Sequence, residues 1–193
     1  MAKGANFERD MCRTLSLWWS EGKRDDVFWR SAGSGAMAKT RSKSGKGTSG
    51  QYGDIHASDP EGLPFLEAFT IELKRGYNDV TLSHMLDKPD SAAVQIWERF
   101  YQQVYEDHLN AGSMSWMLIC QRDRRKALVH ISQHSAMMLH KFGAEVNKIP
   151  YLRGRVPLKD GKHVHLYVCA LDDFLQVVKP YHVKATVQDG YCS

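Results

Sequence analysis

The chain has 193 residues, 42 % of them hydrophobic, enough for one domain with a substantial core, and its formal net charge of +4 supports a polyanionic partner only weakly. Cys12, Cys120, Cys169 and Cys192 lie far apart with no CxxC pair, which argues against a zinc ribbon and a disulfide framework and suits a reducing cytosol. Lys3, Glu8, Arg9, Asp10 and Arg13 exclude a signal peptide from the first twenty residues, and no apolar run approaches the roughly 18 residues of a membrane span, so a soluble, cytoplasmic protein is expected.

Phe7, Met11, Leu15 and Trp18 recur at helical spacing over residues 6–20, and Glu8 lies on the flank of that stripe. Val27, Phe28 and Trp29 predict a short strand that runs through Arg30 into a Gly-Ser turn, Gly33-Ser34-Gly35. Residues 36–52 then hold Lys39, Arg41, Lys43 and Lys46 among glycines and serines, which describes a basic loop. A second strand is predicted at Gly53-Asp54-Ile55-His56-Ala57. A third follows from Phe65 to Lys74, where Phe65, Phe69, Ile71 and Leu73 fall on odd positions and Thr70, Glu72 and Lys74 on even ones. The three strands read as a meander.

Val94, Trp97, Tyr101, Val104 and Tyr105 predict the longest helix, from Ala92 to Leu109 with Gly112 beyond its end. Strands from Met114 to Cys120 and from Lys126 to Ile131 flank the charged turn Arg122-Asp123-Arg124-Arg125, and Ser132 can cap a helix running to about Lys141. Asp160-Gly161 marks a hairpin whose first strand, weakened by Pro157, reads as an edge. A short helix over residues 172–178 is expected to end at Pro180, and residues 184–193 read as a poorly packed tail.

The chemistry concentrates in Asp54 and in Glu72-Leu73-Lys74. On a strand, Glu72 and Lys74 share one face. Two carboxylates on adjacent strands, with the Leu73 carbonyl beside them, are a donor set for Mg²⁺, which takes oxygen ligands and needs only one or two protein carboxylates. Lys74 suits positioning of a water or balancing of charge on a phosphoryl group, and Glu8 suits water-mediated metal contact or proton acceptance. Arg30 and the basic loop suit contact with backbone phosphates.

Other motifs have bland readings that compete well. His163 and His165, or His130 and His134, lack a third ligand for zinc and read as surface or packing histidines. Trp18, Trp19, Trp97 and Tyr101 sit at core-packing spacing rather than on a base-stacking platform. Gly33-Ser34-Gly35 is no P-loop, since no Gly-Lys-Ser/Thr opens a helix after it. The cluster Arg122 to Lys126 reads as a solvated turn, with a phosphate patch as the alternative.

The order helix with Glu8, strand ending at Arg30, strand with Asp54, strand with Glu72-Leu73-Lys74, long helix, strand resembles the PD-(D/E)XK nuclease superfamily. Within it the chain looks most like Holliday junction resolvases of the archaeal type, on Gly4-Ala5-Asn6-Phe7-Glu8-Arg9 and Arg30-Ser31-Ala32-Gly33-Ser34 followed by an aspartate. The resemblance covers roughly residues 4–131. It implies an α/β, restriction-endonuclease-like core (αβββαβ) with a central mixed β-sheet flanked by helices, inside a single nuclease domain over residues 1–183 whose part from 132 on is an elaboration.

It further implies a Mg²⁺-dependent DNA endonuclease, with Mn²⁺ able to substitute, acting as a homodimer on branched or junction DNA in recombination or phage DNA processing. The metal ligands would be Asp54, Glu72, the Leu73 carbonyl and, through water, Glu8. Lys74 would be the water-orienting base, and Arg9, Arg30 and Ser34 substrate-contacting or catalytic helpers. Gly53 stands where a proline is usual, and the loop between Ser34 and Asp54 is longer than in the resolvases. Restriction or repair cleavage of linear duplex, and a DNA-binding module without hydrolysis, are the competing readings; the intact Asp54, Glu72 and Lys74 argue against the second.

Overall fold

The computed structural model describes residues 3–31, 52–87, 96–158 and 161–190. Ser34, Lys39, Arg41, Lys43 and Lys46 lie outside the described residues.

The first helix, α1 (Lys3–Trp19), buries Phe7, Cys12, Leu15 and Trp19. Its buried Ser16 hydroxyl donates to the Cys12 carbonyl (2.7 Å) and accepts the Phe28 N–H (2.9 Å). That second bond ties β1 (Phe28–Arg30) to the helix face, and β1 pairs antiparallel with β2 (Ile55–Ala57). These two strands make a small sheet of their own. The expected three-strand meander is therefore corrected: the third strand belongs to a different sheet, joined to this one by a bond from the Asp54 N–H to the Ile71 carbonyl (2.8 Å).

The stretch before that strand is helical, a second correction. Phe65 lies in α2 (Leu63–Ala68), and β3 is confined to Phe69–Arg75. Phe65 and Phe69 are four apart, a spacing that fits a helix as well as alternation, and Pro64 in the first turn favours the helix.

The main sheet has the order β3-β4-β5-β7-β6, with β4 at Ser115–Gln121, β5 at Leu128–Ser132, β6 at Tyr151–Pro157 and β7 at His163–Ala170. Among the described strands only β3 and β4 pair in parallel, so the long α3 (Ile96–Ala111) lies in the crossover between them. The β6 strand with Pro157 is an edge, as its sequence predicts. Ser132 caps α4 (Gln133–Lys141), its hydroxyl accepting the Ser135 N–H at 3.0 Å.

Helices cover both faces of the sheet. On one face Ile71, Leu73, Met117, Ile119, Val129 and Ile131 share a core with α1, α2 and α4. On the other, Trp116, Leu118 and Val168 pack beneath Trp97, Tyr101 and Val104 of α3. Trp18 and Trp19 are packing residues: Trp19 Nε1 donates to the Glu61 carbonyl (2.8 Å), Trp18 Nε1 to the Val178 carbonyl (2.9 Å), and both stand against Phe65. His163 and His165 are exposed, while His130 is buried against Trp97 and Tyr101, its Nδ1 2.7 Å from the Tyr101 hydroxyl.

The C-terminus departs from expectation. After α5 (Leu171–Val177), Pro180 opens a further helix, α6 (Pro180–Gly190), rather than only ending one. Proline is well suited to a first helical position, and Val183 and Val187, one turn apart, join the core beside α2 and α4. Residues 184–190 are thus a packed helix, not a loose tail.

Candidate active site

Strand β3 explains how two charged side chains come to lie inside the protein. Its odd residues Ile71 and Leu73 fill one core, so Glu72 and Lys74 turn to the opposite face, under α3. Glu72 is only 3 % exposed. Such burial of a carboxylate is costly unless its oxygens are engaged. Lys74 Nζ donates to Glu72 Oε1 at 2.5 Å, and Gln103 Nε2 from α3 donates to the same oxygen at 2.6 Å. Lys74 Nζ also lies 3.2 Å from Gln103 Oε1, closing a triangle.

Asp54 approaches the free edge of β3. Its N–H bonds the Ile71 carbonyl, its Oδ2 accepts the Leu73 N–H at 2.8 Å, and its own carbonyl accepts the Ser31 N–H at 2.8 Å. In a strand the N–H and C=O of one residue point to the same side, so the Leu73 carbonyl also faces the Asp54 edge. Gly53 makes this approach feasible. It has φ +80°, and a Cβ there would stand 2.7 Å from the Ile71 carbonyl oxygen. Proline, fixed near −65°, cannot adopt that φ, which accounts for glycine at this position.

The electrostatics follow from this crowding. Burial, and then the nearby Glu72 charge, push the Asp54 carboxyl up to about 7, against the Leu73 N–H and Lys74, which pull it down. For Lys74, burial disfavours the charge, but the Glu72 carboxylate outweighs it and holds the pKa above its ordinary value. Lys74 is therefore an ammonium at neutral pH. A cation between Asp54 and Glu72 would relieve their repulsion, and their hard oxygen donors fit Mg²⁺ or Mn²⁺. Among the described residues no three His, Cys, Asp or Glu side chains gather into one metal cluster. The oxygen donors that face this position are two carboxylates and, from the strand geometry, the Leu73 carbonyl.

Around this centre, Glu8 Oε2 pairs with Arg30 Nε at 3.3 Å, half-buried where β1 leaves α1. Cys12 feels charges from both groups: burial first, then the Glu8 and Asp54 carboxylates, push its thiol up to about 12. Arg9 is exposed, with Nη1 3.4 Å from Asn6 Oδ1. The structure thus brings Asp54, Glu72 and Lys74 together and sets the Glu8–Arg30 pair beside them. Gln103 is the participant that sequence reasoning misses. Its position three residues after Phe100 places it at the flank of the apolar stripe, but nothing in the sequence shows which strand that flank meets.

A family model described as "Phage putative PDDEXK endonuclease" matches residues 1–185. The chain belongs to that family. Its α/β architecture, a five-stranded mixed sheet flanked by helices, is the restriction-endonuclease-like fold of PD-(D/E)XK endonucleases. No curated protein and no solved structure matches the chain. The match reaches past the 4–131 core into α6, so the C-terminal helices and strands belong to the family pattern too. No helix among the described residues is long and apolar enough to cross a membrane.

Proposed function

We propose that this endonuclease hydrolyses DNA phosphodiesters with a divalent cation, Mg²⁺ or Mn²⁺, held by Asp54, Glu72 and the Leu73 carbonyl, with Glu8 reaching it through water. The observation that carries the reading is the buried convergence of Asp54 on the Leu73 N–H and of Lys74 and Gln103 on the Glu72 oxygen. Buried acids with a raised pKa and a specific cationic partner mark functional sites.

A cation held there would supply charge neutralisation for the phosphate and a lower pKa for the attacking water. The protein's own groups do the rest. Lys74, held as an ammonium, stabilises the charge that develops on the phosphate and orients water, rather than starting as a neutral base. Gln103 and Lys74 fix the rotamer of Glu72. The Leu73 N–H fixes Oδ2 of Asp54, so Oδ1 is the oxygen that would be available to a cation. Arg30, oriented by Glu8, contacts phosphate, with Arg9 and the basic residues Lys39, Arg41, Lys43 and Lys46 adding salt-sensitive affinity, and Ser34 assisting.

The proposed substrate is branched DNA, in the manner of junction resolvases, cut by a homodimer that presents two sites in two-fold relation inside the infected cell. Purified protein incubated in Mg²⁺ with linear duplex, flap and four-way-junction DNA of shared sequence tests this. Preferential paired cuts in the junction are expected; equal cutting of all three overturns the junction assignment.

A further inference from the structure

Beside Lys74 lies a cavity of about 440 Å³ that neither the strand-borne carboxylates nor the family match explains. Its apolar wall is Val80, Trp97, Phe100 and Leu128, and its rim is the β4–β5 turn with Arg122, Arg124, Arg125 and Lys126. The ring of Tyr77, 48 % exposed, stands edge-on to Phe100 at 4.9 Å between centroids. Lys74 Nζ lies 5.3 Å from the centre of the Phe100 ring, so the reacting centre and the cavity share a wall.

The turn is held in place, and its single acid is consumed in holding it. Asp123 pairs with Arg75 (3.3 Å), accepts from Asn78 Nδ2 (3.1 Å), and donates its own N–H to Asn78 Oδ1 (2.7 Å). Gln121 Nε2 further clamps the Arg125 carbonyl at 2.9 Å. The salt bridges of the described residues engage none of Arg122, Arg124, Arg125 or Lys126. Tyr77 itself adopts φ +52° directly after Gly76 at +90°. A bulky residue in the left-handed region persists only where its surroundings over-determine it, a feature concentrated at ligand clamps.

An apolar aromatic slot of this size with a cationic rim is the complement of a nucleotide: a flat base on one side, a phosphate on the other. A base inside a continuous duplex is stacked on both faces and cannot enter a slot. We infer that the cavity takes one unstacked nucleotide next to the scissile phosphate, its base against Tyr77 and Phe100 and its phosphate on the Arg122–Lys126 turn. Within branched DNA, the feature recognised is thereby a nucleotide unpaired or flipped out at the branch, next to the cut. This rests on the nuclease reading of Lys74 and its neighbours.

An abasic nucleotide moved stepwise through the unpaired region of a flap DNA tests it, with binding read by fluorescence anisotropy in EDTA and cleavage read in Mg²⁺. One abasic position is expected to weaken binding to wild type by roughly 5- to 150-fold, the effect of removing one aromatic–base stack. The same position has no further effect in Tyr77→Ala, while Tyr77→Phe behaves as wild type. The double variant Arg124→Ala/Arg125→Ala lowers the salt slope of binding by about 0.7, as expected when one phosphate of a single strand is no longer neutralised. Additive effects of Tyr77→Ala and the abasic site at every position, with the variant's circular dichroism unchanged, overturn the proposal. Cleavage without that coupling sinks the cavity's role and leaves the nuclease reading intact; coupling in the binding arm without any cleavage does the reverse.

Discussion

Gln103 on α3 donates to the same Glu72 oxygen, Oε1, that Lys74 holds, at 2.6 Å. This bond is the link between the helix crossover and the carboxylate that would hold the cation. Its removal leaves Glu72 held by Lys74 alone, without altering any proposed ligand. Gln103→Ala is expected to lower cleavage roughly 10- to 100-fold, the usual effect of removing the partner of a metal ligand. Single-turnover cleavage at rising Mg²⁺ checks it, with the loss expected to shrink as metal is raised.

Asp54 gives a stability signature that needs no activity. Its folded pKa, about 7, lies above the ordinary 3.8. Between those values the folded chain retains a proton that the unfolded chain has lost, so stability falls as pH rises through this window, and the full cost is present above it. In EDTA, Asp54→Asn is expected to melt higher than wild type at pH 8 and to lose that advantage by pH 4. Calorimetry across this range measures it. Added Mg²⁺ is expected to raise the wild-type Tm at pH 8 and to leave the variant's unchanged.

His130 has the opposite sign. Burial holds its imidazole down to about 3, against an ordinary 6.5, so the unfolded chain binds the extra proton between those values and stability is lost as pH falls. His130→Gln removes that dependence. The difference between variant and wild type is expected to shift in the variant's favour from pH 7 to pH 4, read from urea midpoints.

Gly53 tests the backbone approach of Asp54. Gly53→Ala puts a Cβ 2.7 Å from the Ile71 carbonyl oxygen at a φ that alanine disfavours. A loss on the order of 2 kcal/mol is expected from urea denaturation, together with reduced cleavage, because relief of the clash moves Asp54 away from β3.

Legibility in the sequence differs from one element to the next. Alternation over residues 69–74 is unambiguous, since Ile71 and Leu73 must be buried and Glu72 and Lys74 then share the other face; the ion pair between them follows. Helix α1, the Ser132 cap and the edge position of β6 are legible for the same reason, that one local rule acts without a competitor. Phe65 misleads because a four-residue spacing satisfies both periods. Pro180 misleads because proline both ends and begins helices. Gln103 and the fixed Arg122–Lys126 turn stay hidden because each depends on which distant element the fold sets opposite it.

With Asp54 and Glu72 together holding the cation, phosphodiesters are not cut in its absence. The most direct measurement is cleavage of labelled four-way-junction and flap DNA by wild type and Asp54→Asn, in Mg²⁺ and in EDTA, with binding followed in parallel. Wild type is expected to cut only with Mg²⁺, and the variant to bind comparably yet cut more than about 100-fold slower, a larger loss than for a mere partner of a ligand. Cutting in EDTA, or wild-type rates in Asp54→Asn, would contradict the account.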